Sequence, residues 1–124
     1  MDSTEGVLGR ARVVLEIAEV EPLLARGPAP FTDAERAYAR SKSDPERRLA
    51  ARLAAKRAVR EILGPDIALE DVEVVAGRGG PPTLRLSAAA EAVARGRGGA
   101  RLLLSLTHER RHAAAVVLLL AAGA

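Results

Sequence analysis

The sequence predicts an α+β domain in which a largely antiparallel sheet packs on one long helix. Three features carry this. Asp44-Pro45-Glu46 opens a run with helical apolar periodicity that Gly64-Pro65 closes: an N-cap residue, a proline at the first helical position, an early acid and a glycine stop. Short segments of alternating apolar residues lie on both sides of that run, beginning with Val13, Leu15 and Ile17. The last two segments, Arg101 to Thr107 and His112 to Leu120, flank a tight turn at Glu109-Arg110-Arg111, as in an antiparallel hairpin.

Residues 1–11 read as a loose leader and residues 12–122 as a single domain. Arg12 to Val20 is expected to be a strand. The segment from Glu19 to Leu24 is expected to turn helical, with Pro22 in its first turn. Gly27-Pro28-Ala29-Pro30 is a loop. Thr32-Asp33-Ala34-Glu35 matches a capping box and opens a helix to about Ser41. The long helix follows, burying Leu49, Leu53, Val59, Ile62 and Leu63 on a face that alanines broaden. Asp71 to Ala76 and Thr83 to Leu86 are strands around the turn Gly77-Arg78-Gly79-Gly80-Pro81-Pro82. Ser87 caps a short helix ending near Arg95-Gly96, and the closing hairpin completes the chain.

At 124 residues and 48% hydrophobic content the chain is one globular domain with a core of its own. Aromatic residues make up only 2%, so Leu, Val, Ile and Ala must build that core. Phe31 and Tyr38 are the only large rings, too few for a single-strand nucleic-acid platform. No recognition-helix motif is present either, and a nucleic-acid partner is not expected. The absence of cysteine excludes disulfides and thiolate metal sites. The first residues lack the pattern of a signal peptide, and the apolar run Ala113 to Ala122 is too short to span a bilayer, which needs about 20 residues. A cytoplasmic protein without a membrane partner is expected. The net charge of +3 suits an acidic partner or phosphorylated cofactor, or reflects an arginine- and alanine-rich composition with no patch.

Four blocks carry a resemblance. They are Leu15 to Glu21, Phe31 to Tyr38, Leu49 to Glu61, and Leu104 to Glu109 with Ala113 to Val116. In order and spacing they resemble the G-x-D-I-V-E-I-E-R, F-T-x-x-E-x-x-Y, L-A-x-R-F-A-A-K-E-A-x-x-K and V-S-L-S-H-E/A-x-A-x-V segments of holo-acyl-carrier-protein synthases. The resemblance covers about Val13 to Leu120. It implies a 4′-phosphopantetheinyl transferase-like fold and a place in fatty acid or polyketide biosynthesis. Such enzymes move the 4′-phosphopantetheine arm of coenzyme A, their substrate, to a serine of apo acyl carrier protein. A magnesium ion bridges the pyrophosphate, held by the Asp of the first block and the Glu of the helix block. The enzymes are homotrimers with coenzyme A at subunit interfaces, and their carrier partner is acidic.

At the positions the resemblance marks as catalytic, this chain departs. The Asp position aligns with Glu16, the one retained carboxylate and the only candidate metal ligand. The Glu position is Arg57, so the second ligand is lost, and the Lys position is Glu61. The arginine after the first block is Pro22. The family's G-R-P or G-K-P turn stands as Gly80-Pro81-Pro82 without its cation, which Arg78 could replace. Moving a carboxylate from position 57 to position 61 displaces it by about 6 Å along the helix. Magnesium demands oxygens at about 2.0–2.1 Å, a gap that one extra methylene on Glu16 does not bridge. A guanidinium about 4 Å from a divalent ion is repelled by about 8 kcal/mol at an effective dielectric of 20.

Arg57 has two roles open to it. Its guanidinium could replace the metal's charge and grip a phosphate. It could instead pair with Glu61 on a solvated face for about 0.2–0.5 kcal/mol. Lys56 matches the family lysine and is a candidate phosphate contact, or a lysine snorkelling from the helix shoulder. His108 matches the S-H-E histidine and is a candidate cofactor contact, whereas His112 is a candidate structural hydrogen-bonder. Ser105 and Thr107 are strand residues with no histidine–carboxylate arrangement to activate them. Two functions follow as expectations. One is a transferase of this type whose magnesium-dependent activity is weak or lost. The other is a pseudoenzyme that binds coenzyme A or a carrier protein as an assembly module.

Overall fold

A computed structural model describes residues 6–123 of the chain. Five strands and four helices follow in the order β1 (Val7–Glu16), α1 (Val20–Ala25), α2 (Asp33–Arg40), α3 (Pro45–Leu63), β2 (Val72–Val75), β3 (Thr83–Leu86), α4 (Ala88–Gly96), β4 (Gly99–His108) and β5 (His112–Ala121). Every strand pair is antiparallel. The pairing divides into a three-stranded sheet, β1-β5-β4, and a separate two-stranded sheet, β2-β3.

The first strand lies further upstream than Arg12 to Val20. It begins at Val7, so residues 7–11 of the expected leader are paired sheet, while residues 1–5 lie outside the described residues. Gly9, Ala11, Val13 and Leu15 turn inward while Leu8, Arg10, Arg12 and Val14 turn out. Small inward residues and outward arginines leave no apolar run there, which is why the pattern is faint in the sequence. The strand stops at Glu16 because the chain enters a 3-10 turn over Ile17–Glu19. The Glu19 carboxylate accepts the Glu16 N–H at 2.8 Å, and Ile17 N–H donates to the Arg111 carbonyl at 2.8 Å.

The long helix is the centre of the molecule. Leu53, Ala54, Ala55, Ala58 and Val59 have no exposed surface. β1 and β5 lie along one side of it and α2, β2 and α4 meet its other faces. Its alanine surface lets the sheet approach closely: a Cβ on Gly9 would stand 2.8 Å from Ile62 Cγ2. Asp44 holds the N-cap position, but its carboxylate serves Arg48 Nε at 3.0 Å and Arg47 at 3.7 Å rather than the helix N–H groups. At the other end Arg97 donates to the Leu63 carbonyl at 2.9 Å, satisfying one of the last open acceptors of the helix. Thr32 caps α2 as expected, its hydroxyl accepting from Glu35 N–H at 3.2 Å while Glu35 returns the bond to Thr32 N–H at 2.9 Å.

Candidate active site

Lys56 points into the protein and is fully buried. Its ammonium donates to Glu35 Oε1 at 2.7 Å, to the Leu69 carbonyl at 3.1 Å and to the Val72 carbonyl. All three donors of a lysine are then engaged. Glu35 in turn accepts from Val74 N–H at 2.8 Å. This network ties α2, α3 and β2 together and engages every proton of Lys56, which stands in the core rather than on a helix shoulder. The phosphate and snorkelling roles both assumed a helix shoulder in water. The acceptor that draws the lysine inward comes from α2.

Arg57 lies beside Lys56 on the helix but at the surface, with its side chain 35% exposed. It faces Glu19, whose Oε1 is 3.8 Å from Arg57 Nη1. The expected partner Glu61 is exposed and is not the one it meets. The 3-10 turn after β1 brings Glu19 over this face, a contact across the fold that helical spacing cannot reveal. Glu16, exposed at the end of β1, joins the same cluster through its backbone bond to Glu19.

The donor set here does not fit magnesium. Among the described residues no group of three or more His, Asp or Glu side chains is arranged to hold an ion. The carboxylate nearest Arg57 is already opposed by its guanidinium, and a second cation there would meet the repulsion described above.

A second cluster forms around the other side of α3. Tyr38, Arg48, Arg52, Gly77, Gly80 and His108 line a concave site of about 230 Å³. Arg52 is buried, at 4% exposure, and packs over the Tyr38 ring 4.1 Å from its centroid. Burial holds its pKa below that of an ordinary guanidinium, opposed by Tyr38 and Glu35. Its Nε has no hydrogen-bond partner among the described residues. Arg48 is steadied by the Asp44 carboxylate, whose own pKa that hydrogen bond lowers. Two expected residues, Gly80 and His108, therefore come together here. Arg78 and Pro81 belong to the same turn, and Pro82 lines the site in their place. His112 takes the structural part expected of it: its Nδ1 lies 2.8 Å from Glu109 Oε1. The Arg111 N–H and His112 together hold the Glu109 carboxyl below the usual range.

Glycine is required in this turn. A Cβ on Gly77 would lie 2.4 Å from the carbonyl oxygens of both Gly80 and Pro81. Gly77→Ala is expected to destabilise the protein by about 1–3 kcal/mol in urea titration and to displace the His108 ring resonances. An unshifted His108 would show that the turn does not shape this site.

Sequence reasoning missed Glu19, Arg48, Tyr38 and Arg52. For Arg52 a signal existed, since it occupies the arginine position of the L-A-x-R-F-A-A-K block. Tyr38 likewise closes the F-T-x-x-E-x-x-Y block, whereas for Glu19 and Arg48 only the fold assembles the contacts.

The architecture is an α+β domain with antiparallel strands laid on one long helix, with an arginine-lined cleft beside that helix, and its likeness to solved holo-(acyl-carrier-protein) synthase structures gives it a 4′-phosphopantetheinyl transferase-type fold. No family model matches the chain. It is 39% identical to the holo-[acyl-carrier-protein] synthase of Anaeromyxobacter dehalogenans (strain 2CP-C), over 94% of this chain and 98% of that one. It is 43% identical to the enzyme of the same name from Frankia casuarinae, over 90% of this chain and 95% of that one. The solved structure of the Chronobacterium ammoniagenes ACPS–CoA complex is similar with a TM-score of 0.77 and 25% identity, covering 90% and 95% of the two chains. The chain belongs to the holo-[acyl-carrier-protein] synthase family.

Proposed function

We propose that this protein binds coenzyme A and an acyl carrier protein, and that its magnesium-dependent transfer of 4′-phosphopantetheine is weak or lost. The observation that carries this is the unequal state of the two clusters on α3. The Arg52–His108 cleft offers a buried guanidinium with an unfilled donor, a second arginine and a histidine, a set suited to phosphate. The Glu16–Arg57 cluster presents a guanidinium where the family places a carboxylate ligand. Arg57 instead supplies a fixed positive charge for the pyrophosphate, since a pair 3.8 Å apart at the surface is weakly held.

Arg57 and Arg52 are five residues apart, about 140° around the helix. One coenzyme A would reach both more readily across two copies of the chain than within one, which supports the homotrimer expected from the family. The outer face of the three-stranded sheet exposes Leu8, Val14 and Leu103, apolar surface that supports such an assembly. A carrier-binding module with no transferase activity is the second form of this proposal, favoured by the Arg57–Glu19 contact. Among the described residues no helix is long and apolar enough to cross a membrane.

Incubation with apo carrier protein, coenzyme A and magnesium, followed by mass spectrometry of the carrier, separates the outcomes. Little or no added phosphopantetheine is expected. Rapid, complete modification would overturn the proposal, and its stimulation by magnesium would restore the ordinary metal site.

A further inference from the structure

A larger cleft lies away from both clusters. It has a volume of about 720 Å³ and opens between β3, α4 and the first residues of β4. Leu86, Leu102 and Leu119 give it an apolar lining. Arg85 and Arg95 face it as well, and among the described residues Glu91 is the carboxylate that lines it. Its size falls within the range of small-molecule sites, about 300–1,000 Å³, and apolar walls with a few convergent polar groups are their usual chemistry.

The charges are available in unequal degree. Arg85 reaches Glu73 only at 3.4 Å and its side chain is 72% exposed. Arg95, in the last turn of α4, has no ion-pair partner among the described residues. A carboxylate beside Arg95 would receive the forked donors of its guanidinium. Glu91 on the same helix limits the surplus of positive charge, which favours a monoanion over a dianion. An extended peptide added as a strand is disfavoured, because the register of β4 shifts between Gly99 and Arg101, where the cleft lies.

We propose that this cleft binds a linear aliphatic carboxylate, its chain against Leu86, Leu102 and Leu119 and its head at Arg95. The test is calorimetric titration and methyl NMR of the full chain with decanoate, decanol and decylamine. Ala100→Trp fills the mouth from an exposed position, and Arg95→Gln removes the charge. Decanoate is expected to bind and shift the methyl resonances of the three leucines. Decanol should bind about tenfold more weakly and decylamine less still, and Arg95→Gln should erase the difference between decanoate and decanol. Ala100→Trp should abolish binding while coenzyme A affinity is unchanged. Equal affinity for decanol, shifts spread over the sheet, or no binding would overturn the proposal. Loss of decanoate binding as protein concentration rises would place a second copy of the chain in the cleft, and overturn it too.

Discussion

Lys56→Ala is expected to destabilise the protein by about 3–5 kcal/mol, the cost of leaving one member of a buried ion pair alone. The Glu35 carboxylate would stay buried against Thr32 and Val74 N–H groups with its cation gone, and two carbonyls would lose their donor. Domains of this kind have only about 5–15 kcal/mol in total, so the variant should sit near its unfolding threshold. Arg57→Ala, one residue along the same helix, should change the unfolding free energy from urea titration by no more than about 1 kcal/mol. Combining Lys56→Met with Glu35→Gln should recover part of the loss, because the amide oxygen can still accept from Val74 and no bare charge remains. A fully stable Lys56→Ala that fails to bind coenzyme A would make the lysine a ligand and contradict its place in the core.

Arg52→Gln is expected to weaken coenzyme A binding by about 10- to 100-fold, the loss of hydrogen bonds to a charged group. Truncation also removes packing against Tyr38, so stability must be measured beside affinity. Arg52→Lys is the informative comparison. It keeps the charge but not the planar fork, and should recover little of the affinity if two phosphate oxygens are held together. Recovery to the level of the unaltered protein would reduce the role of Arg52 to charge alone. Unchanged binding in both variants would move the cofactor out of this cleft.

Much of the fold was legible because its signals are local. The capping box at Thr32, the Asp44-Pro45 start, the Gly64 stop and the closing hairpin each act within a few residues, and α2, α3 and the last two strands appear where those signals put them. The first strand was misplaced because the inward side of its first half is Gly9 and Ala11. The division into two sheets depends on which edges meet, and short strands carry no mark of that. The site was less legible for a related reason. Lys56 and Arg57 are adjacent and equally basic in sequence, yet one is drawn into the core by Glu35 and the other held at the surface by Glu19. Both partners come from elements that helical periodicity does not see. Gly80 and His108 drew attention because one opens the Gly80-Pro81-Pro82 turn and the other stands in the Leu104 to Glu109 block, and both line the same cleft. Arg52 shared a block with the residues that drew attention and was passed over.

Under the proposed function, Arg57 is a built-in cation standing where the family resemblance implies a bound one. Titration of coenzyme A into the purified protein, with magnesium and then with excess chelator, tests it most directly, repeated on Arg57→Ala. The same affinity is predicted in both conditions for the unaltered chain, with about a tenfold loss in Arg57→Ala that magnesium does not restore. Binding that vanishes with the chelator, or is unchanged in Arg57→Ala, would contradict it.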